Sequence, residues 1–355
     1  MKRVIAITLT VLLFVGMIAC GKSEPQQVAP EPDKAEDTQE AQVEAEPQKE
    51  SEEIIIGISL DNLDDPFWVG IKKGIDAATE ELSGKAKVEI QVCQGDANLQ
   101  AKQIQDMVTA GAKAIACVYV DQEAIKQSVK LCNEKDIPFV YIDRTLESTE
   151  DAKVAWGIAT DNLALTENGW EYMVEYAKEN NIKWKVLELV GSLTDNNVLR
   201  RTEGFEKVME ENPEYIERVQ SVPTEFNLEK ALAGVTNAMQ ANPEINCIFM
   251  HSDFLLAPTI QALEAAGRYT KIGEEGHVAL MPFSGNTGAV NAMKEGYAEM
   301  CFGMDVYKEG YEGVMAAYNL VMGNTDGYEA TLDDAGFIMT QDNLDETAPR
   351  AYGSF

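Results

Sequence analysis

"IIIGISLDNLDDPFWVGIKKGIDAATEELSGKAKVEIQVC", residues 54–93, decides the fold. It opens on a short, nearly continuous β-branched run, as in a strand buried on both faces. Pro66 stands near the start of an amphipathic helical pattern, "PFWVGIKKGIDAATEEL", where its missing N–H is harmless. "VEIQVC" then reads as a second strand. Strand, helix, strand in that order is a parallel pair joined by a crossover. Between the first strand and the helix stands "SLDNLDDPFW", residues 59–68, with three Asp, a Pro and two adjacent aromatics. Such a loop either caps a helix and anchors a core, or binds something both polar and flat-faced.

The pattern continues outward. "AIACVYV" and "FVYID" are strands, and "NLQAKQIQDMVTAGA" and "DQEAIKQSVKLCNEKDIP" are helices. A second run follows: strands "KWKVLELVG", "ERVQSVP", "INCIFMHSD", "HVALMPFSG" and "YAEMCFGM", with helices "NNVLRRTEGFEKVMEEN", "LEKALAGVTNAMQAN", "LLAPTIQALEAAG" and "YKEGYEGVMAAYNLVMG". Two α/β units in tandem result, each a doubly wound parallel sheet with helices on both faces.

The chain has 355 residues, 45% of them hydrophobic, which suffices for two ordinary domains. Its formal net charge of −31 repels phosphate backbones, so no nucleic-acid partner is expected. "MKR" followed by "VIAITLTVLLFVGMIAC" looks like a bacterial lipoprotein signal, with residues 1–19 removed and Cys20 lipidated; the rival reading is an uncleaved signal anchor. Residues 20–53, rich in Glu, Gln, Pro and Ala, read as an acidic disordered tether behind the lipid. Cys93, Cys117, Cys247 and Cys301 lie in apolar runs and read as buried small hydrophobes, not a disulfide framework. No metal-ligand spacing occurs, and neither metal nor cofactor is expected.

In an open parallel sheet, ligands sit beyond the carboxyl ends of the strands. Those ends carry Asp61 to Trp68, Asp143 and Arg144, Ser192 to Asn197 with Arg200 and Arg201 beyond, Phe226, His251 to Asp253, and Phe283 to Asn286. No Gly-rich phosphate loop is among them. Carboxylates, amides and guanidiniums match ring hydroxyls, and aromatic rings match the C–H faces of a sugar.

Here the sequence resembles the sugar-binding type I periplasmic-binding class, the ribose, xylose and galactose receptors of ABC importers. The resemblance rests on "ISLDNLDDPFW", "GDANLQAKQIQDMVTAGAKAI", "IPFVYIDR", "VGSLTDNN", "RRTEGFEKVM", "NCIFMHSD" and "GAVNAMKEG", and runs over nearly all of 54–350. It implies two parallel-sheet lobes joined by a three-stranded hinge near 160, 304 and 334. One lobe would comprise 54–160 plus 305–334, the other 161–304 plus 335–355. It implies that Asp65 meets sugar hydroxyls, that Phe67 and Trp68 form an aromatic wall, and that Asp143 and Arg144 grip the ring. On the second lobe it implies Asp195, Asn197 and an Arg at 200 or 201, with Phe226 and Phe283 as aromatics and Ser252 beside Asp253. Three positions depart from the family pattern: Ser284 for Asp, Met304 for a polar group, and Ser252 for Asn. The calcium loop of the galactose type is not evident.

"HSD" at 251–253 does not make a hydrolase, because adjacent residues on a strand point to opposite faces. No Gly-x-Ser-x-Gly elbow is present, and no catalytic residue is expected. The resemblance therefore implies an extracytoplasmic, lipid-anchored binding protein. It would capture a monosaccharide or related polyol between its lobes and deliver it to the transmembrane subunits of an ABC permease. The rival is a sensory receptor that presents a ligand to a membrane kinase or chemoreceptor. The sugar-responsive repressors share the fold, but no helix-turn-helix opens this chain.

Overall fold

The structure is a computed structural model, and it describes residues 54–328 and 331–354. The signal at 1–19, Cys20 and the tether to 53 lie outside the described residues. The first half alternates strand and helix as far as β4, which β5 follows with no helix between: β1 (Ile55–Leu60), α1 (Pro66–Glu81), β2 (Lys87–Val92), α2 (Ala97–Thr109), β3 (Ala114–Cys117), α3 (Gln122–Asn133), β4 (Phe139–Ile142) and β5 (Trp156–Thr160). The chain then builds α4 (Asn162–Asn180), β6 (Trp184–Val190), α5 (Asn196–Glu211), β7 (Ile216–Pro223), α6 (Leu228–Ala241), β8 (Cys247–Met250) and α7 (Leu256–Ala265). It ends with β9 (Ala279–Met281), β10 (Phe283–Ser284), α8 (Thr287–Lys294), β11 (Met300–Gly303), α9 (Val306–Val321), β12 (Leu332–Asp334) and β13 (Phe337–Thr340), before short helical turns.

Two parallel sheets organise the molecule. The first runs β12-β5-β4-β3-β1-β2 and the second β7-β6-β8-β9. A small third sheet, β10-β11-β13, is parallel on one side and antiparallel on the other. "HVALMPFSG", read as one strand, is divided at Pro282, which has no N–H to give to a ladder. Its carbonyl accepts from Phe302 N–H at 3.1 Å, so the chain passes from the second sheet to the third at that residue.

The chain crosses between the lobes three times, after β5, between β11 and α9, and between β12 and β13. Each crossing carries an Asp. Asp161 caps α4 through Ala164 N–H, Asp305 caps α9 through Lys308 N–H, and Asp334 receives Lys308 Nζ at 2.6 Å and Gly336 N–H at 2.8 Å. The Asp161 N–H also donates to Asp334 O at 2.8 Å, which ties two crossings together. Such short side-chain caps satisfy helix-end donors that otherwise have no partner.

Helix α9 returns to the first lobe and lies against α1. An added Cβ at Gly74 would stand 2.0 Å from Tyr307 O, and one at Gly310 2.0 Å from Ile71 O. Only glycine lets these two backbones meet. All five cysteines among the described residues are free and buried.

Candidate functional site

Between the two lobes lies a cavity of about 320 Å³. That is the low end of the roughly 300–1,000 Å³ typical of small-molecule sites. From the first lobe it is lined by Asp61, Asn62, Asp64, Asp65, Phe67, Trp68, Gln94, Gly95, Asp143 and Arg144. From the second come Asp195, Asn197, Arg201, Phe226, Ser252, Phe254 and Ser284. These residues follow the carboxyl ends of strands, where the parallel topology leaves a crevice.

The Asp-rich loop serves both purposes that its sequence raised. Asp65 is the N-cap of α1, accepting Phe67 N–H at 2.9 Å, and it also lines the cleft. Phe67 and Trp68 are mostly buried and meet edge to face, with centroids 4.8 Å apart, yet both reach the cavity. Burial raises the Asp65 carboxyl to about 6, against the hydrogen bond from Phe67, with Asp61 adding to the rise.

Arg144 is the electrostatic centre of the first lobe. Its Nη1 donates to Asp61 Oδ2 at 3.1 Å and to Tyr119 O. Its Nε lies 3.4 Å from Asp195 Oδ2 across the cleft and 3.9 Å from Asp143 Oδ2. Burial opposes its charge, but Asp195, Asp61 and Asp143 outweigh burial and hold its pKa above the ordinary value. The guanidinium carbon sits 4.9 Å from the centre of the Trp68 ring. Asp143 itself is 1% exposed; it receives Asn197 Nδ2 at 3.3 Å, and its Oδ1 has no hydrogen-bond partner. Burial is the main reason its carboxyl is pushed up.

Arg201 plays the matching part on the second lobe. Its Nε donates to Asn162 Oδ1 at 2.7 Å, Nη1 to His251 O, and Nη2 lies 3.7 Å from Met304 Sδ. Burial lowers its pKa to about 10, and Asp195 and Asp143 oppose the drop. It stacks over the Phe283 ring at 4.0 Å. Met304, a departure from the family pattern, is thus a soft floor under this guanidinium.

Three expected residues do not reach the cleft. Arg200 points outward and pairs with Glu203 at 2.8 Å, its side chain 47% exposed. Consecutive helical positions differ by about 100°, so only one of the two arginines can face the lobe interface. Phe283 is fully buried between Arg201 and Phe302, and it supports an arginine where an aromatic wall was expected. Asp253 is buried behind Ser252. It accepts Asn286 N–H and, at 3.1 Å, the Tyr352 hydroxyl. Burial raises its carboxyl to about 7, with Asp65 among the causes. Asp65, Phe67, Trp68, Asp143, Arg144, Asp195, Asn197, Arg201, Phe226 and Ser252 all line the cavity.

Gln94, Gly95 and Phe254 were missed, although each directly follows a strand or its first turn, where the strand-end rule applies. Backbone strain also marks the site. Seven described non-glycine residues have left-handed φ, and four of them line the cavity: Gln94 (55°), Asp143 (69°), Phe226 (56°) and Ser284 (107°). Such conformations cost about 1–3 kcal/mol each and gather at functional sites. Phe226 reaches the cleft over Gly191, where a Cβ would stand 2.2 Å from its ring.

The periplasmic binding protein domain matches residues 56–325. The ribose import binding protein RbsB of Bacillus subtilis is 26% identical over 295 residues, which span 83% of this chain and 85% of that protein. The D-allose-binding periplasmic protein of Escherichia coli is 26% identical over 222 residues, 61% of this chain and 70% of that one. Among solved structures, an ABC transporter solute binding protein from Bacillus halodurans with bound myo-inositol has a TM-score of 0.74 at 21% identity. That likeness covers 84% of this chain and 98% of that one, and it concerns the fold. The relatives that the chain matches in sequence are named as binding proteins. The chain belongs to the periplasmic binding protein domain family.

Proposed function

We propose that this protein captures a monosaccharide or related polyol in the interlobe cleft and delivers it to an ABC importer. The observation that carries the reading is the cleft itself. Asp143 and Arg144 from one lobe face Asp195, Asn197 and Arg201 from the other, around a cavity of monosaccharide scale. A hydrogen bond to a charged group contributes about 1.5–3 kcal/mol, so a few suffice for the ~8 kcal/mol of micromolar binding. The relatives named for ribose import and D-allose binding support the ligand class.

The mechanism is closure. A ligand that touches both lobes binds the closed form better and draws the population toward it. Asp65, Asp143, Arg144, Asp195, Asn197 and Arg201 would hold hydroxyls, and Trp68 and Phe226 would pack against ring C–H groups. Lipid attachment at Cys20 belongs to the same proposal and rests on the apolar stretch ending "MIAC". Mass spectrometry of the membrane-bound protein should then find an acylated Cys20 at its N-terminus, whereas a chain that still carries residues 1–19 would rule out the lipid.

A thermal-shift screen of the full chain against pentoses, hexoses and inositols tests the ligand class. A ligand at 100 times its Kd adds about 2.7 kcal/mol of stability. One strong stabiliser supports the reading and names the sugar; no shift with any of them rejects it.

A further inference from the structure

The cleft carries more negative charge than a neutral sugar uses. Five carboxylates line it, Asp61, Asp64, Asp65, Asp143 and Asp195, against two guanidiniums. Arg144 answers Asp61 and Asp195 and stands near Asp143. Arg201 donates only to neutral acceptors: Asn162, His251 O and Met304. Neither arginine pairs with Asp64 or Asp65. The N-terminus of α1 offsets part of that charge, because its dipole favours an anion there. Yet the cap engages one Asp65 oxygen only, and burial still raises the group to about 6.

Two further observations point to a positively charged ligand. Asp143 Oδ1, on a cleft-lining residue that is 1% exposed, has no donor. Across the cleft, Asp253 is raised to about 7, and Asp65 contributes to that rise. Closing the lobes therefore brings together carboxylates that repel one another. A hydroxyl brings a donor and no charge. An ammonium brings three donors and the missing positive charge, and charge-assisted bonds are roughly twice as strong as neutral ones. A bare divalent cation is a poorer match. Calcium takes about six to eight oxygens, and among the described residues no group of three or more acidic, His or Cys side chains is placed to hold a metal.

We propose that the cleft is built for a cationic polyol: a monosaccharide or cyclitol bearing a primary amine, its ammonium seated among Asp143 and the carboxylates of the Asp61–Asp65 loop. This deepens the sugar reading and rests on it. The hydroxyls remain with Arg144, Asn197 and Arg201, and the amine decides which polyol is chosen. Burial, the Phe67 N–H and Asp61 set the charge state of Asp65, and Asp253 and Tyr352 of the other lobe feel its charge.

Titration calorimetry of the full chain with matched pairs tests this: D-glucosamine against D-glucose, D-galactosamine against D-galactose, and an inosamine against its inositol. At about pH 7.5, where the amines are largely charged, at least one amine should bind ~10-fold or more tightly than its neutral parent. Asp65→Asn keeps the cap, since Asn caps as well as Asp, and should bring that ratio close to one. The ratio should also shrink at about pH 5, where Asp65 takes up a proton. A neutral parent that binds as well as or better than its amine in every pair overturns the inference and leaves the sugar reading standing. An amine preference untouched by Asp65→Asn overturns the seat of the charge. No binding by any member of any pair overturns the inference, and the pentose arm of the thermal-shift screen then decides the sugar reading by itself.

Discussion

Arg200 and Arg201 are neighbours on α5 with opposite surroundings. Arg201 is buried over Phe283 and holds Asn162, whereas Arg200 lies on the surface beside Glu203. Arg200→Ala should leave sugar affinity within about twofold, since an exposed ion pair contributes little. Arg201→Ala should weaken binding by roughly 100-fold or more, because it removes charged donors from a dehydrated site. Calorimetry on both variants checks the pair, and equal effects would contradict the geometry. Asp143→Ala should abolish measurable sugar binding while the far-ultraviolet circular dichroism stays unchanged; near-normal affinity would remove Asp143 from the site. Much of the cleft was legible at this scale, because "DDPFW", "DR" and "TDNN" each follow a strand. What was not legible is which face a side chain takes. Phe283 and Asp253 stand at strand ends and still turn inward, since neighbouring residues of a strand or tight turn point to opposite sides.

Element boundaries were clear where apolar runs were long and unclear where packing used small or polar groups. The buried face of α4 includes Asn162, Thr166 and Gly169 beside Leu165 and Trp170. That stripe has little hydrophobic period, so the sequence did not mark the helix. The division at Pro282 followed from chemistry present in the sequence, a residue with no N–H inside an apolar run. The contact of α1 with α9 was invisible, because glycines 236 positions apart give no local signal; Gly74 and Gly310 are read only once the helices are seen together. Gly310→Val should destabilise the fold by about 1–3 kcal/mol or more, as overpacked sites do. The measurement is a thermal or urea midpoint. A Gly310→Val midpoint equal to the parent's would mean that the helices can separate without cost.

At the scale of the whole molecule, buried carboxylates tie stability to pH. Asp65 is raised to about 6 and Asp253 to about 7, mainly by burial, and Asp143 is raised for the same reason. A carboxyl with a raised pKa in the folded state contributes stability that is fully present below its unfolded value and lost as pH rises through the folded value. The ligand-free protein should therefore melt at a higher temperature at about pH 5 than at about pH 7.5. Glu188 and Asp334 have lowered values, and their contributions fade only below the ordinary carboxylate range. His277 acts in the same direction as the cleft acids and His251 in the opposite one. A double variant, Asp65→Asn with Asp253→Asn, should flatten the pH slope, and an unchanged slope would place its origin elsewhere.

The three crossings also set an order of assembly. The first sheet is incomplete without β12, and α1 has no partner until α9 is present, yet both segments follow the entire second sheet in the chain. A growing chain thus has the second lobe's strands in hand while the first lobe still shows its glycine-lined seam. Long-range closure of this kind is slow, because distant segments must be brought together before any contact rewards them. Residues 306–334 are therefore the keystone of the first lobe, and the chain stays open to whatever handles unfolded polypeptide until nearly its last tenth has been made.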